Sequence, residues 1–524
     1  MNQVTKGRPA VGRFDGRRLS WLRLALLVSC LAVVAFVSVS GWRWFEDNRA
    51  AASVRTWFAA YVDVTVTPRF EFEQPTSEAA RDVVLAFVVA GRHDDEPCTP
   101  MWGGSYTLDA AASDLDLDRR IARLRQNGGE IIVSFGGAAH DELAVTCTDE
   151  KRLEEAYAEV IDRYDVDTID LDLEGRGLTD TRANARRASA VRALQVERRR
   201  DDHALQVWLT LPASPQGLTA AGQSAVMTML DEHVEVTGVN VMTMNFGTGG
   251  QSMARATASA LDATHRQLTS LYSEAGIPIP SATLWKKLGA TPMIGQNDTP
   301  RDVFGLDAAR ALNAFARENG MGRLSMWSLN RDRTCSENYP DVRVVSNSCS
   351  GVEQRKETFA SLLHRDLGSE PTPDAELTPS TASPGTGTTD DPRSSPYPIW
   401  QDHEVYVENT RVVWHRNVYV AKWWTTGDLP DDPTVDAGSS PWQLVGPVLP
   451  GEKPLPVPTV PPGTYPTWDA DTVYTRGERV LLDGVAYSAK WWTQGDSPTA
   501  PSTRDDPSPW MAVSEADLRK LAGG

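Results

Sequence analysis

An α/β fold, a closed (β/α)8 TIM barrel followed by two small all-β modules, is what this 524-residue sequence predicts. Three observations carry that expectation. Eight short apolar runs alternate with amphipathic stretches between residues 57 and 365, a Pro/Thr/Ser-rich break follows, and a repeated segment lies beyond it. Hydrophobic residues at 41% and charged residues at 23% are globular proportions. The length calls for more than one folded unit. A net charge of -18 argues against nucleic acid as a partner, because phosphate binding needs a basic face.

Charge is unevenly placed. Residues 1–23 carry six basic side chains against Asp15 alone, so the remainder is more acidic than the total. Leu24 to Val39 is apolar except for Ser29, Cys30 and Ser38, roughly 24 Å as a helix. With Trp42 and Trp44 at its exit it approaches a membrane span. Residues 24–42 therefore read as a single-pass signal-anchor, with 1–23 as a basic cytoplasmic tail and the rest outside the cell membrane. A cleaved signal peptide is the competing reading, from the small residues at 38–40, and would make the protein secreted. Both imply export. Four cysteines remain beyond this segment, Cys98, Cys147, Cys335 and Cys349, and in an exported protein they imply two disulfides. Of three pairings, Cys98–Cys147 with Cys335–Cys349 is favoured. Ligand-spaced CxxC or His pairs are lacking, so neither a metal site nor a cofactor is expected.

The barrel strands are expected at 60–67, 83–89, 130–135, 168–173, 206–211, 238–244, 289–294 and 323–329. Helices are expected between them, for example over 116–126, 149–164 and 252–275. The barrel domain would occupy 50–365, with an open doubly wound sheet as the alternative fold. Residues 366–396, rich in Pro, Thr, Ser and Gly, read as a flexible linker. Fifteen residues from Tyr397 to Trp442 recur at a constant offset of 68, from Tyr465 to Trp510. This duplication defines modules at 397–447 and 465–515, joined by a stiffer Pro-rich spacer, 448–464. Each copy is about 50 residues long, which predicts a small sheet with a thin core.

Asp167-Thr-Ile-Asp170-Leu-Asp172-Leu-Glu174 is the strongest chemical signal. Alternation along a strand puts Asp170, Asp172 and Glu174 on one face and Ile169, Leu171 and Leu173 on the other. Three carboxylates facing a barrel interior are costly to bury and raise one another's pKa. A purely structural strand would carry Val or Ile there. Glu174, at the C-terminal end of the strand, stands where barrels place their chemistry, and a raised pKa would make it a proton donor near neutrality. Trp102, after the second strand, could stack on a ligand or pack in the core. Tyr61 and Asp63, at the end of the first strand, are candidates to line the same cleft. The scattered His residues form no triad-like spacing.

The DxxDxDxE pattern resembles glycoside hydrolase family 18, the chitinases and related endo-N-acetylglucosaminidases. Ser134-Phe-Gly-Gly137, Met242-Thr-Met244-Asn245 and Ser325-Met-Trp327-Ser328 are similar to that family's third-, sixth- and eighth-strand motifs. The resemblance implies a retaining, substrate-assisted reaction in which Glu174 is the general acid/base and the acetamido group of the substrate is the nucleophile. Asp172 would orient the acetamide and share a proton with Asp170, and Asp167 would be structural. Trp327 would floor the subsite beside the scissile bond, with Met242, Met244 and Asn245 lining it. Met244 and Asn245 depart from the family's Tyr-Asp pair, which bears on efficiency and pH dependence.

Adjacent tryptophans Trp423-Trp424 and Trp491-Trp492, with Tyr419 and Tyr487 just before them, are candidate sugar-stacking residues. In a strand, one ring of each pair would face solvent and the other the core. Ala421-Lys-Trp-Trp-Thr425 and its copy resemble the signature of carbohydrate-binding module families 5 and 12, which implies chitin as partner. The expectation is therefore an endo-acting chitinase. The alternatives are an endo-N-acetylglucosaminidase acting on glycans or peptidoglycan, and a chitin-binding adhesin of weak activity. Oligomeric state is not legible from the sequence.

Overall fold

The computed structural model describes residues 56–91, 97–200, 202–247, 252–299, 301–336, 344–367, 389–455, 459–499, 508–513 and 518. The expected cytoplasmic tail, signal-anchor and most of the linker lie outside the described residues. Among the described residues no helix is long and apolar enough to cross a membrane.

Eight parallel strands close into a barrel. The first, β1, is in two pieces, Trp57–Phe58 and Ala60–Asp63. It is followed by β2 (Val83–Ala90), β3 (Ile131–Gly136), β4 (Thr168–Asp172), β5 (Gln206–Ser214), β6 (Val236–Met242), β7 (Leu288–Thr291) and β8 (Arg323–Leu324). Each pairs with the next in parallel. The seam closes where Trp57 and Phe58 pair with Arg323 and Leu324. The alternative of an open sheet is thereby excluded. The strand VVLAFVVA of β2 is apolar on both faces because interior and helices both bury it.

Helices cover the outside: α1 (Leu117–Gln126), α2 (Glu150–Tyr164), α3 (Thr181–Arg200), α4 (Ala220–Asp231), α5 (Met253–Glu274), α6 (Leu306–Asn319) and the short α7 (Phe359–His364). In α2 the buried residues Leu153, Ala156, Tyr157, Val160, Ile161 and Tyr164 fall at helical spacing. Asp149 caps its start by accepting from Arg152 N.

The first and last strands are the ones most shortened relative to expectation. β1 stops at Asp63, whose carboxylate accepts from Thr65 N and Oγ1 and turns the chain. After Leu324, β8 leaves the regular ladder, although Tyr61 N still donates to Met326 O and Trp327 N to Pro292 O. Disulfides join Cys98 to Cys147 and Cys335 to Cys349.

Each module is a three-stranded antiparallel sheet with a two-stranded ribbon beside it. The sheet strands are Arg411–Trp414, Asn417–Ala421 and Trp442–Pro447 in the first and Arg479–Leu482, Val485–Ala489 and Trp510–Ala512 in the second. Trp400, Tyr406, Tyr419 and Trp442 fill one small core, and Tyr474, Val480, Ala489 and Trp510 the other. Trp442 Nε1 donates to Asp428 O and Trp510 Nε1 to Asp496 O, both at 2.8 Å. The duplicated Asp thus satisfies the indole of the duplicated core Trp.

Candidate active site

The interior of the barrel is tied together at Asp170. Its Oδ2 accepts from Tyr61 Oη and Ser134 Oγ, each at 2.8 Å. Its Oδ1 accepts from Thr210 Oγ1 and Arg323 Nη1, each at 2.7 Å. Strands β1, β3, β5 and β8 therefore all converge on one carboxylate of β4. Arg323 is fully buried and packs its guanidinium against the rings of Trp57, Tyr61 and Trp208. Both oxygens of Asp170 are engaged by these donors.

Asp172, two residues on, is buried with Oδ1 unpartnered among the described residues. Burial pushes its pKa well above the usual carboxylate range, and the charges of Glu174 and Asp170 push the same way. Glu174 follows the end of β4 and is half-buried. Its pKa is also raised, by burial first and then by the charge of Asp298. Gly136, at φ +102°, lets β3 approach this point, since a Cβ there would lie 2.1 Å from Asp172 O. Gly137 N donates to that same oxygen at 2.9 Å.

Asp172 and Glu174 open into a cleft of about 320 Å³ at the C-terminal end of the barrel. Trp327 lies in it, stacked on Phe87 at 5.3 Å between ring centroids, with Tyr61 alongside at 6.0 Å. Met242, Met244 and Asn245 line the β6 side, and Thr210, Thr291 and Asp298 complete the wall. The cleft thus combines a half-buried acid, a buried carboxyl with a free oxygen and an apolar platform. That combination can protonate a leaving oxygen, orient an amide and hold a sugar face.

Several expected positions differ. Trp102 is not in the cleft: it is completely buried, and Nε1 donates to Tyr164 Oη at 2.8 Å. Its packing role wins because the strand 100–102 folds back on β2. Asp63 serves the turn after β1 and is not among the cleft residues. Asp167 precedes β4 at the surface, paired with Arg198 at 3.5 Å. Asn245 Oδ1 accepts from Thr299 N at 3.0 Å, and Nδ2 faces Asp298 Oδ2 at 3.4 Å. Asn245 thus holds the 297–299 loop that carries Asp298. Asp298 and Arg323 went unnoticed in the sequence. Arg323, a lone cation opening an apolar strand, was the available signal, whereas Asp298 sits in a polar loop that marks nothing.

The tryptophan pairs also differ from expectation. Trp423 and Trp424 follow the strand Asn417–Ala421 rather than lying within one, and both rings are exposed, at 45% and 58%. Trp491 and Trp492 repeat this, at 37% and 62%. Lys422 Nζ lies 4.7 Å from the Trp423 ring and Lys490 Nζ 4.9 Å from the Trp491 ring, bracing the first ring of each pair. Tyr419 instead fills the first core, and Tyr487 packs against the second. Tyr419 is buried there, whereas Tyr487 stays partly exposed.

Fold and cleft define the barrel as similar to the glycoside hydrolases of the family 18 chitinase type, and the second module as a carbohydrate-binding unit. Residues 467–511 match carbohydrate-binding module family 5/12. Over 310 residues, 56% of this chain, the sequence is 31% identical to a probable bifunctional chitinase/lysozyme of Escherichia coli, covering 33% of that protein. Over the same share it is 29% identical to endochitinase 11 of Metarhizium anisopliae, covering 57% of it. The chain thus spans a third and just over half of these relatives. The catalytic domain of a Pyrococcus furiosus chitinase superposes with a TM-score of 0.51 at 28% identity, covering 59% of this chain and 94% of that one.

Proposed function

We propose that this chain is a chitinase that cleaves within β-1,4-linked N-acetylglucosamine polymers, with retention and with the substrate's acetamido oxygen as nucleophile. The observation that carries the reading is the pair Asp172 and Glu174 in the cleft, the first with a free buried oxygen, the second a half-buried acid of raised pKa. Glu174 protonates the glycosidic oxygen as the bond to the anomeric carbon breaks. The acetamide carbonyl attacks that carbon, and Asp172 Oδ1 holds the acetamide N–H as positive charge spreads onto the ring formed. Water, deprotonated by Glu174, then opens the ring with overall retention. Asp170 takes no part in proton transfer in this scheme and positions the strand.

The exposed Trp pairs are platforms for pyranose faces, and two modules on one chain gain affinity for a polymer surface through effective concentration. Two disulfides support action in an oxidising space outside the cytoplasm, consistent with the signal-anchor or signal-peptide reading of residues 24–42.

The test is hydrolysis of chitin oligosaccharides by the full chain beside Glu174→Gln, with the anomer of the first product read by NMR. Release of β-anomer that is lost in Glu174→Gln supports the proposal. Release of α-anomer overturns the mechanism, and tight chitin binding without cleavage overturns the enzyme. The second name of the Escherichia coli relative favours a further substrate reading, so peptidoglycan belongs beside chitin in the same assay.

A further inference from the structure

The first module rests on the barrel through a set of contacts reaching α1 and the segment after β1. Arg119 Nη2 pairs with Glu452 Oε1 at 2.5 Å, and Arg119 Nη1 donates to Pro447 O at 2.6 Å. Arg411 Nη2 pairs with Asp116 Oδ2 at 2.5 Å. Gln443 Nε2 donates to Glu71 Oε1 at 2.6 Å, and Gln74 Nε2 to Leu444 O at 3.3 Å. Arg119 and Asp116 are nearly buried by this contact, at 7% side-chain exposure each. The backbones come equally close: a Cβ on Gly446 would lie 2.6 Å from Arg119 O and 3.1 Å from Arg123 Cβ.

The duplicate has not kept this face. At the offset of 68 the core and the Trp pair are conserved between copies, but Gln443 becomes Met511 and Gly446 becomes Ser514, and the spacer residue Glu452 lies outside the duplicated segment. Arg411 does have its counterpart, Arg479, and each guanidinium packs on the matching Tyr, at 5.8 Å on Tyr397 and 5.7 Å on Tyr465, so that only the acidic partner across the contact differs. Met511 offers Glu71 no donor, and a side chain at the Gly446 position would meet the α1 backbone. The barrel therefore fits one copy and rejects the other.

We propose that the two modules have divided their work: the first is a fixed part of the catalytic body, docked through a face made for α1, and the second lacks that face. Glu71 and Gln74 follow the C-terminal end of β1, and Asp116 and Arg119 open the helix that returns from that same end of the barrel. Docking there holds Trp423 and Trp424 at a fixed position relative to the barrel. The positional claim stands on packing alone. Its use in guiding a polymer chain rests on the chitinase reading.

The experiment uses the full chain with Cys30→Ser and spin labels on cysteines at Glu155 of α2 and Ser439 of the first module, both exposed. A single narrow distance distribution is expected. It broadens in Gly446→Phe and in Arg119→Glu, and narrows again when Arg119→Glu is combined with Glu452→Arg. A broad distribution in the parent, or a narrow one unmoved by either single change, overturns the docking. Should Gly446→Phe misfold by circular dichroism, the charge reversal and its rescue decide the matter. Separately, Trp423→Ala with Trp424→Ala should raise KM for soluble chitin polymer several-fold, and by more than Trp491→Ala with Trp492→Ala, whose larger effect should be on adsorption to insoluble chitin. Equal effects of the two pairs overturn the division of work. A chain inactive on every chitin overturns the chitinase reading and with it the guiding role, and leaves the distance result to judge the docking.

Discussion

Arg323 of β8 reaches across the barrel interior to donate to Asp170 of β4 at 2.7 Å, with both side chains fully buried. Removing one partner strands the other's charge without solvent. Arg323→Met is expected to cost about 3–5 kcal/mol of stability, read as the shift in urea unfolding midpoint. A loss below 1 kcal/mol would mean that the remaining donors to Asp170 suffice to hold it.

Glu174→Gln keeps shape and removes the proton. Turnover of chitin oligosaccharides should fall by about 10²–10⁴-fold, with the unfolding midpoint unchanged or slightly higher because a half-buried charge is gone. Asp172→Asn should also lower turnover, and a variant at either position with parental rates would remove it from the mechanism.

Asp298 adds to burial in raising the pKa of Glu174. Its negative charge disfavours ionisation of Glu174 and so raises that pKa. Asp298→Asn removes the repulsion and lets Glu174 ionise earlier, so the alkaline limb of the kcat/KM profile should move toward lower pH. A limb that stays in place, or moves upward, would show that burial alone holds Glu174 protonated.

Cys98 and Cys147 close a loop with a sequence separation of 49. Loop-closure entropy for that length gives about 4 kcal/mol. Replacing both by Ser should therefore lower stability by about 2–4 kcal/mol, measured by thermal unfolding under non-reducing conditions, without displacing Glu174 or Trp327.

The second Trp pair is exposed and braced only by Lys490. Trp491→Ala with Trp492→Ala should leave folding intact and weaken adsorption to insoluble chitin by about 10²-fold or more, as an avidity partner is lost. Unchanged adsorption would assign the binding to another face.

Much of this architecture was legible because each signal was local. Eight apolar runs at barrel spacing gave the strands, and the alternation in 167–174 gave two inward carboxyls beneath Glu174. What stayed hidden depends on contacts distant in sequence. Nothing near Trp102 says that Tyr164 waits for its indole, and nothing near Asp298 says that Asn245 carries it to the cleft. The Trp pairs were misread as strand residues because two bulky neighbours suit a strand by propensity. They are instead presented on the connection beyond it, where both rings reach solvent. The docking face was equally silent, since Gly446 and Glu452 acquire meaning only against α1.

The knot at Asp170 also has a consequence for synthesis. Two of its donors, Tyr61 and Arg323, come from the first and last strands of the barrel. A nascent chain halted before residue 323 would carry every acidic residue of the cleft yet leave Asp170 without its cation. The carboxylate at the centre of the barrel would thus gain its counter-charge only once the final strand has joined the sheet.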